Sequence, residues 1–180
     1  MKIAHNIGQR AAVCLLLYYL VIGSLLFIFT GCCTYSFTGS SVPEHLKTVA
    51  IPVAEDRSGA AIPGMREKLT EDLIRKFIDD NSLQVTERSK ADAILECTII
   101  SVKDIPSIVS AGENISQRRL TVTVQVKYKD LVKRISVFDK KFSNYGDYVP
   151  GKTENDRVSA ADVALDKIAE DVLLAVVSGW

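Results

Sequence analysis

Residues 146–153 read GDYVPGKT and satisfy the spacing G-x-x-x-x-G-K-T. In a phosphate-binding loop of that spacing, backbone N–H groups wrap the phosphates and the lysine reaches the terminal ones. The stretch also lies between an expected strand and an expected helix, the context such a loop requires. Other features count against that chemistry. Pro150 removes an N–H beside the glycine where donors are needed. A single helix follows Thr153, so no later strand supplies the aspartate that helps hold Mg²⁺. The preceding strand belongs to an antiparallel hairpin, not to a parallel βαβ unit. The reading that remains is a Pro-Gly turn leading into the last helix.

Other residue types that could do chemistry are sparse. His5 sits in the first ten residues and His45 in a polar segment, so neither offers a Ser/His or Cys/His constellation. The carboxylate pairs Glu71/Asp72 and Glu170/Asp171 fall on amphipathic helices and read as solvated faces. No CxxC or Cys/His spacing suits a metal. QRRL and LVKRI are basic but lack the interleaved aromatics that stack bases. Formal net charge is +0, and a chain starting at Cys32 would be slightly acidic. No enzyme, no cofactor and no nucleic-acid partner follow from these residues.

The N-terminus carries a different kind of chemistry. MKIAHNIGQR is short and basic, and AAVCLLLYYLVIGSLLFIF is apolar and uncharged. This is the layout of a secretory signal, although the apolar run is long enough to span a bilayer as an uncleaved anchor. Phe29-Thr30-Gly31-Cys32 resembles a bacterial lipobox, with Phe29 in place of the usual leucine. The resemblance implies a signal peptide over 1–31, cut before Cys32, and acylation of the Cys32 thiol and of the new amine. Several acyl chains hold far more firmly than one. Residues 32–46 then read as a lipidated tether, small and polar with Gly39 and Pro43. Cys33 and Cys97 remain, with no pairing implied, and the alternation in ILECTII makes Cys97 a buried small hydrophobe.

One α+β domain is expected over 47–180. KTVAIPV alternates as a first strand, with Pro52 at an edge or bulge. MREKLTEDLIRKFIDD places Met65, Leu69, Leu73 and Phe77 on one helical face. LQVTER is a short extended segment. ADAILECTIISVKDI has apolar residues in both phases and reads as a central strand covered on both sides. QRRLTVTVQVKYKD alternates strictly, Leu120 to Tyr128 inward and Thr121 to Lys129 outward. RISVFDKKFSNY is its return strand, and the change of apolar phase after Val137 marks a bulge. A second helical stripe runs from Val158 to Val176, with Ser159 and Asp162 as a capping box. The expected architecture is a four-stranded mixed sheet with two helices on one face, in the order β-α-β-β-β-α.

The opening GCCTYSFTGSSVPEHLKTVAIPVAEDRSG, the helix with LTEDLIRKF, then ADAILECTI and RLTVTVQVKYKD together resemble the LPS-assembly lipoprotein LptE family, in its Bacteroidetes-like form. The resemblance covers nearly all of residues 32–178. It implies a lipid-anchored protein of the outer membrane, facing the periplasm, that catalyses nothing. Such a protein plugs and supports assembly of an LptD-type β-barrel and binds lipopolysaccharide. For that ligand, positive charge must stand beside polar or weakly apolar surface. Lys127, Lys129, Lys133 and Arg134 supply it here. Ile108 and Val109, in the segment PSIVSAGENIS read as a loop, are apolar candidates for partner contact. VAIPVAEDRSG followed by a helix and VTERSKADAILECTI also resembles curli-secretion and peptidoglycan-synthase-activator lipoproteins, the alternative reading.

Intact-protein mass spectrometry checks the anchor: the purified chain is expected to begin at an acylated Cys32, and an intact Met1 or a free Cys32 overturns this.

Overall fold

β5 (Ile115–Asp130) is the strand whose alternation was plainest, and it organises the fold. Its Leu120, Val122, Val124, Val126 and Tyr128 are fully buried, and they form one core with both helices. The computed structural model describes residues 42–109, 115–151 and 155–178. The signal segment 1–31, Cys32 and the tether as far as Ser41 lie outside the described residues. The elements around β5 are β1 (Thr48–Ala50), β2 (Glu55–Asp56), α1 (Met65–Asp80), β3 (Gln84–Val85), β4 (Ala93–Val109), β6 (Ile135–Tyr148) and α2 (Asp156–Ser178).

The sheet is six-stranded and mixed, which corrects the expected four-stranded sheet and its order β-α-β-β-β-α. The strands run β3-β1-β4-β5-β6, with β2 also on β4. β1, β2 and β3 pair in parallel, whereas β4–β5 and β5–β6 are antiparallel. KTVAIPV is not one strand. It meets β4 through Val49↔Ala93 and Ala50↔Ile94, loses it at Pro52, and β2 regains it through Glu55↔Thr98. Val53, which alternates with Val49 and Ile51, is 57% exposed where those two are buried. Pro52 cannot donate to the ladder, so the break falls there. Helix α1 satisfies the chain just beyond it: the Ala54 N–H donates to Thr70 Oγ1 at 3.0 Å, and Arg66 Nε donates to the Ala54 carbonyl at 3.0 Å. β3 lies within LQVTER, and a strand of 2 residues leaves no alternation to read.

The two apolar phases of β4 have two causes: Ile94, in the phase opposite Leu95, is itself buried at 1% exposed, and farther along the strand bulges. Its register steps from Ile99↔Val124 to Ser101↔Thr123 and leaves Ile100 as an extra residue. A bulge of this kind flips the side-chain phase. Leu95, Cys97 and Ile99 before it and Val102 after it therefore all pack in the helix-side core. The bulge expected in β6 is present: Tyr128↔Phe138 is followed by Lys129↔Ser136, so Val137 is extra.

Helix α1 buries its stripe Met65, Leu69, Leu73 and Phe77 as read. It ends at Asn81, whose left-handed φ of 57° and N–H bond to the Phe77 carbonyl close the last turn. α2 begins at Asp156, and the Ser159 N–H already bonds the Asn155 carbonyl, so Ser159 lies inside the helix and not at its cap. Its buried face mixes Ala160, Ala161, Ala164 and Ala169 with Leu165, Ile168 and Val172. Small side chains let a helix sit close to a sheet, and Gly146 of β6 completes the fit. A Cβ at Gly146 would overlap the backbone of Ala160. Gly146→Ala is therefore expected to destabilise the fold by about 1–3 kcal/mol, seen as a lower urea midpoint; an unchanged midpoint counts against this packing.

Candidate functional site

The face of the sheet opposite the helices is polar, and charge pairs crossing from strand to strand hold it. Arg119 forks onto Asp147 at 2.7 and 2.9 Å and lies 3.8 Å over the Tyr145 ring. That bond holds the Asp147 carboxyl below its ordinary value. Gln125 donates to Asp139 at 2.8 Å, and Lys129 donates to Glu96 at 2.7 Å. Lys127 differs, since its ammonium stands 3.9 Å from Asp139. Of the two lysines expected on this face, Lys129 is engaged and Lys127 is the freer.

A depression of about 350 Å³ opens on this face beside the break between β1 and β2. Pro52, Val53, Arg57, Arg88, Glu96 and Lys127 are among its walls. Arg57 is held by Glu55 at 2.6 Å, whereas Arg88 reaches Glu96 only at 3.9 Å. Lys127 and Arg88 therefore bring two loosely held cations to one concavity. Sequence reasoning missed Arg57 and Arg88. Pro52 signalled a break in the strand, but nothing in the sequence tells which side chains a break admits. Cys97 also borders the depression yet is 5% exposed, and burial pushes its thiol up to about 12, so it carries no nucleophile.

Lys133 and Arg134 lie elsewhere, exposed in the turn 131–134 between β5 and β6. The start of the domain is fastened beside that turn. His45, placed in the tether by its polar surroundings, has Nε2 2.6 Å from Oδ2 of Asp130, the last residue of β5. The Lys133 N–H donates to the other carboxyl oxygen at 2.8 Å. Burial pushes the Asp130 carboxyl up, but the His45 and Lys133 hydrogen bonds outweigh it and hold the group below its ordinary value. Asp92 accepts the N–H groups of Lys47 (3.0 Å) and Thr48 (3.1 Å), which hold its carboxyl low and fix the start of β1. Leu46 is buried in the core and Val42 packs against it.

The other sequence candidates resolve as follows. Ile108 and Val109 belong to strand β4 and pair with Gln117 and Ile115, so they do not sit in a loop. Asp72, read as solvated, is fully buried and held by Lys68 and Arg75, each at 2.7 Å. In GDYVPGKT, Gly146 packs β6 on α2, and the Tyr148 hydroxyl donates to Asp104 at 2.7 Å. Gly151 turns the chain at φ +77°. Lys152 and Thr153 lie outside the described residues. Among the described residues no group of His, Cys, Asp and Glu could hold a metal, and no helix is long and apolar enough to cross a membrane.

Comparison with known proteins places this geometry. A family model described as LptE: Lipopolysaccharide-assembly matches residues 46–176. The chain belongs to the LptE family. LptE proteins are structural lipoproteins and not enzymes. No curated protein matches the chain. Among solved structures, a protein from Xanthomonas campestris is similar at TM-score 0.55 and 13% identity, covering 77% of this chain and 91% of its own. A protein from Chlamydia trachomatis gives TM-score 0.55 at 11% identity, covering 73% and 98%. Rare lipoprotein B from Shewanella oneidensis gives TM-score 0.50 at 13% identity, covering 74% and 96%. At such identities the likeness shows the fold alone.

The clasp on Asp130 makes a signed prediction. A carboxyl held below its unfolded value stabilises the fold above about pH 3.9, and that stability is lost as pH falls through the folded value. Asp130→Asn is expected to be about 1–3 kcal/mol less stable at pH 7. The gap to the parent should narrow in urea melts run at progressively lower pH, and a constant gap contradicts the assignment.

Proposed function

We propose that this chain is the lipid-anchored partner of an LptD-type outer-membrane β-barrel and that it binds lipopolysaccharide on the helix-free face of its sheet. Family membership supports the outer-membrane, periplasm-facing setting. YSFTG at residues 35–39 supports the Bacteroidetes-like form of the family. The observation that carries the binding reading is the pairing of Lys127 and Arg88, each with its ion contact only at 3.9 Å, on one depression. Loosely paired cations can turn to a phosphate without breaking a short bond, and the walls of Pro52 and Val53 offer apolar contact beside them. Lys129 widens the field while engaged with Glu96. Lys133 and Arg134 stand outside this depression.

The barrel contact is assigned to the far end of the β4–β5 hairpin. Ile108 and Val109 pair there in strand geometry, which places two apolar residues on an extended backbone at that end. Members of this class plug and support the barrel, so the role is recognition and mechanical support with no reaction.

Lys127→Glu combined with Arg88→Glu is expected to weaken lipopolysaccharide binding by about tenfold or more, since each charged hydrogen bond contributes about 1.5–3 kcal/mol. The variants should keep the parent's urea midpoint, and binding equal to the parent's removes the face from the reading. Affinity purification of the tagged protein from outer membranes tests the partner. A large β-barrel is expected to co-purify, whereas a wall synthase or a homo-oligomeric ring contradicts the assignment.

A further inference from the structure

The β5–β6 turn and the start of the domain share one end of the molecule. The Leu131 N–H bonds the Asp92 carbonyl at 2.8 Å, Asp92 holds Lys47 and Thr48, and His45 reaches Asp130 at 2.6 Å. The chain therefore enters the domain against the base of this turn. The turn itself combines two chemistries. Val132 is 55% exposed and Ile135 51% exposed, and between them Lys133 and Arg134 are exposed cations. Lys47 and Lys90 are exposed nearby, the Lys90 carbonyl accepting from Thr48 Oγ1; Glu44 is the exposed acid beside His45. Large aliphatic side chains flanking bases are poorly suited to water, but they match the boundary between acyl chains and headgroup phosphates. Sequence separation sets the distance. From Cys32 to Val42 is 10 residues (42 − 32), which span at most about 35 Å fully extended. An acyl anchor on Cys32 thus keeps this end of the domain within that reach of the bilayer.

We propose that the β5–β6 turn is a membrane-contacting tip, with Val132 and Ile135 entering the interface of the leaflet that holds the anchor and Lys133 and Arg134 meeting anionic phospholipid headgroups. The proposal rests on lipidation at Cys32. It gives the turn a different ligand from the depression at Lys127 and Arg88. It also gives the His45–Asp130 clasp a purpose, because a fixed chain start keeps the turn facing the surface to which the chain is tied.

The test uses the full-length lipidated protein in vesicles of phosphatidylethanolamine and phosphatidylglycerol with brominated acyl chains. Trp180, the single tryptophan, is changed to Phe, and a reporter is introduced by Val132→Trp. Ile105→Trp, 53% exposed far along β4, is the control. Quenching is expected for the reporter at 132 and not for the one at 105. Lys133→Gln with Arg134→Gln should lower the ratio of docked to undocked turn by about 30-fold in these vesicles. It should have little effect in vesicles of phosphatidylcholine alone. Flotation of the protein with the vesicles reports the anchor separately. A protein that floats while residue 132 is quenched no more than residue 105 overturns the tip and leaves the anchor standing. A protein that does not float overturns both. Quenching at 132 that appears only after lipopolysaccharide is added assigns the turn to that ligand and overturns the bilayer contact.

Discussion

Helix α2 lies against one side of β5 and shares one core with α1, and that one-sided cover fixes what the opposite side can be. Leu120, Val122, Val124, Val126 and Tyr128 are fully buried in the core. The alternate residues, Thr121 to Lys129, must then face away from the helices, because the strand period is two. An uncovered sheet face suits water when its side chains are polar, and hydrogen bonds between strands can order them. Arg119–Asp147, Gln125–Asp139 and Lys129–Glu96 are such bonds. The polar face follows from the core, and Lys127 stands out because its ion contact is long.

Where a period ran long enough, the sequence showed the structure directly. The stripe from Met65 to Phe77 and the alternation from Leu120 to Tyr128 are present as read. The phase change near Val137 is the bulge it was taken to mark. Ile100 produced the same signature in β4, but two apolar phases can come from a bulge or from burial on both faces, and periodicity alone cannot separate these. β2 and β3 were invisible as strands because each has 2 residues, and their pairing depends on backbone groups of β4 and β1 that leave no side-chain record.

The site was legible only in part, for a related reason. Lys127 and Lys129 lie on the alternating strand, so their facing could be read. Arg57 and Arg88 come from a loop and a short 3-10 turn, and only the folded chain brings them beside Lys127. His45 looked like part of a tether because its partner Asp130 is 85 residues away. Asp72 looked solvated because its helix is amphipathic, yet it sits on the buried side with Lys68 and Arg75 closing over it. Long-range pairs such as these are set by topology, and topology was the part of the fold that the short strands concealed.

Strand β6 leaves a long outer border on the sheet. At Tyr145 both backbone groups are already taken: the N–H donates to Asn144 Oδ1 at 3.0 Å, and the carbonyl accepts from Lys167 Nζ at 3.1 Å. Lys140 and Lys141 add exposed like charge along the same border. Such devices blunt strand-to-strand zipping. A border whose backbone groups are taken at Tyr145 and flanked by lysines gives the strand of a second copy no clean run of partners there.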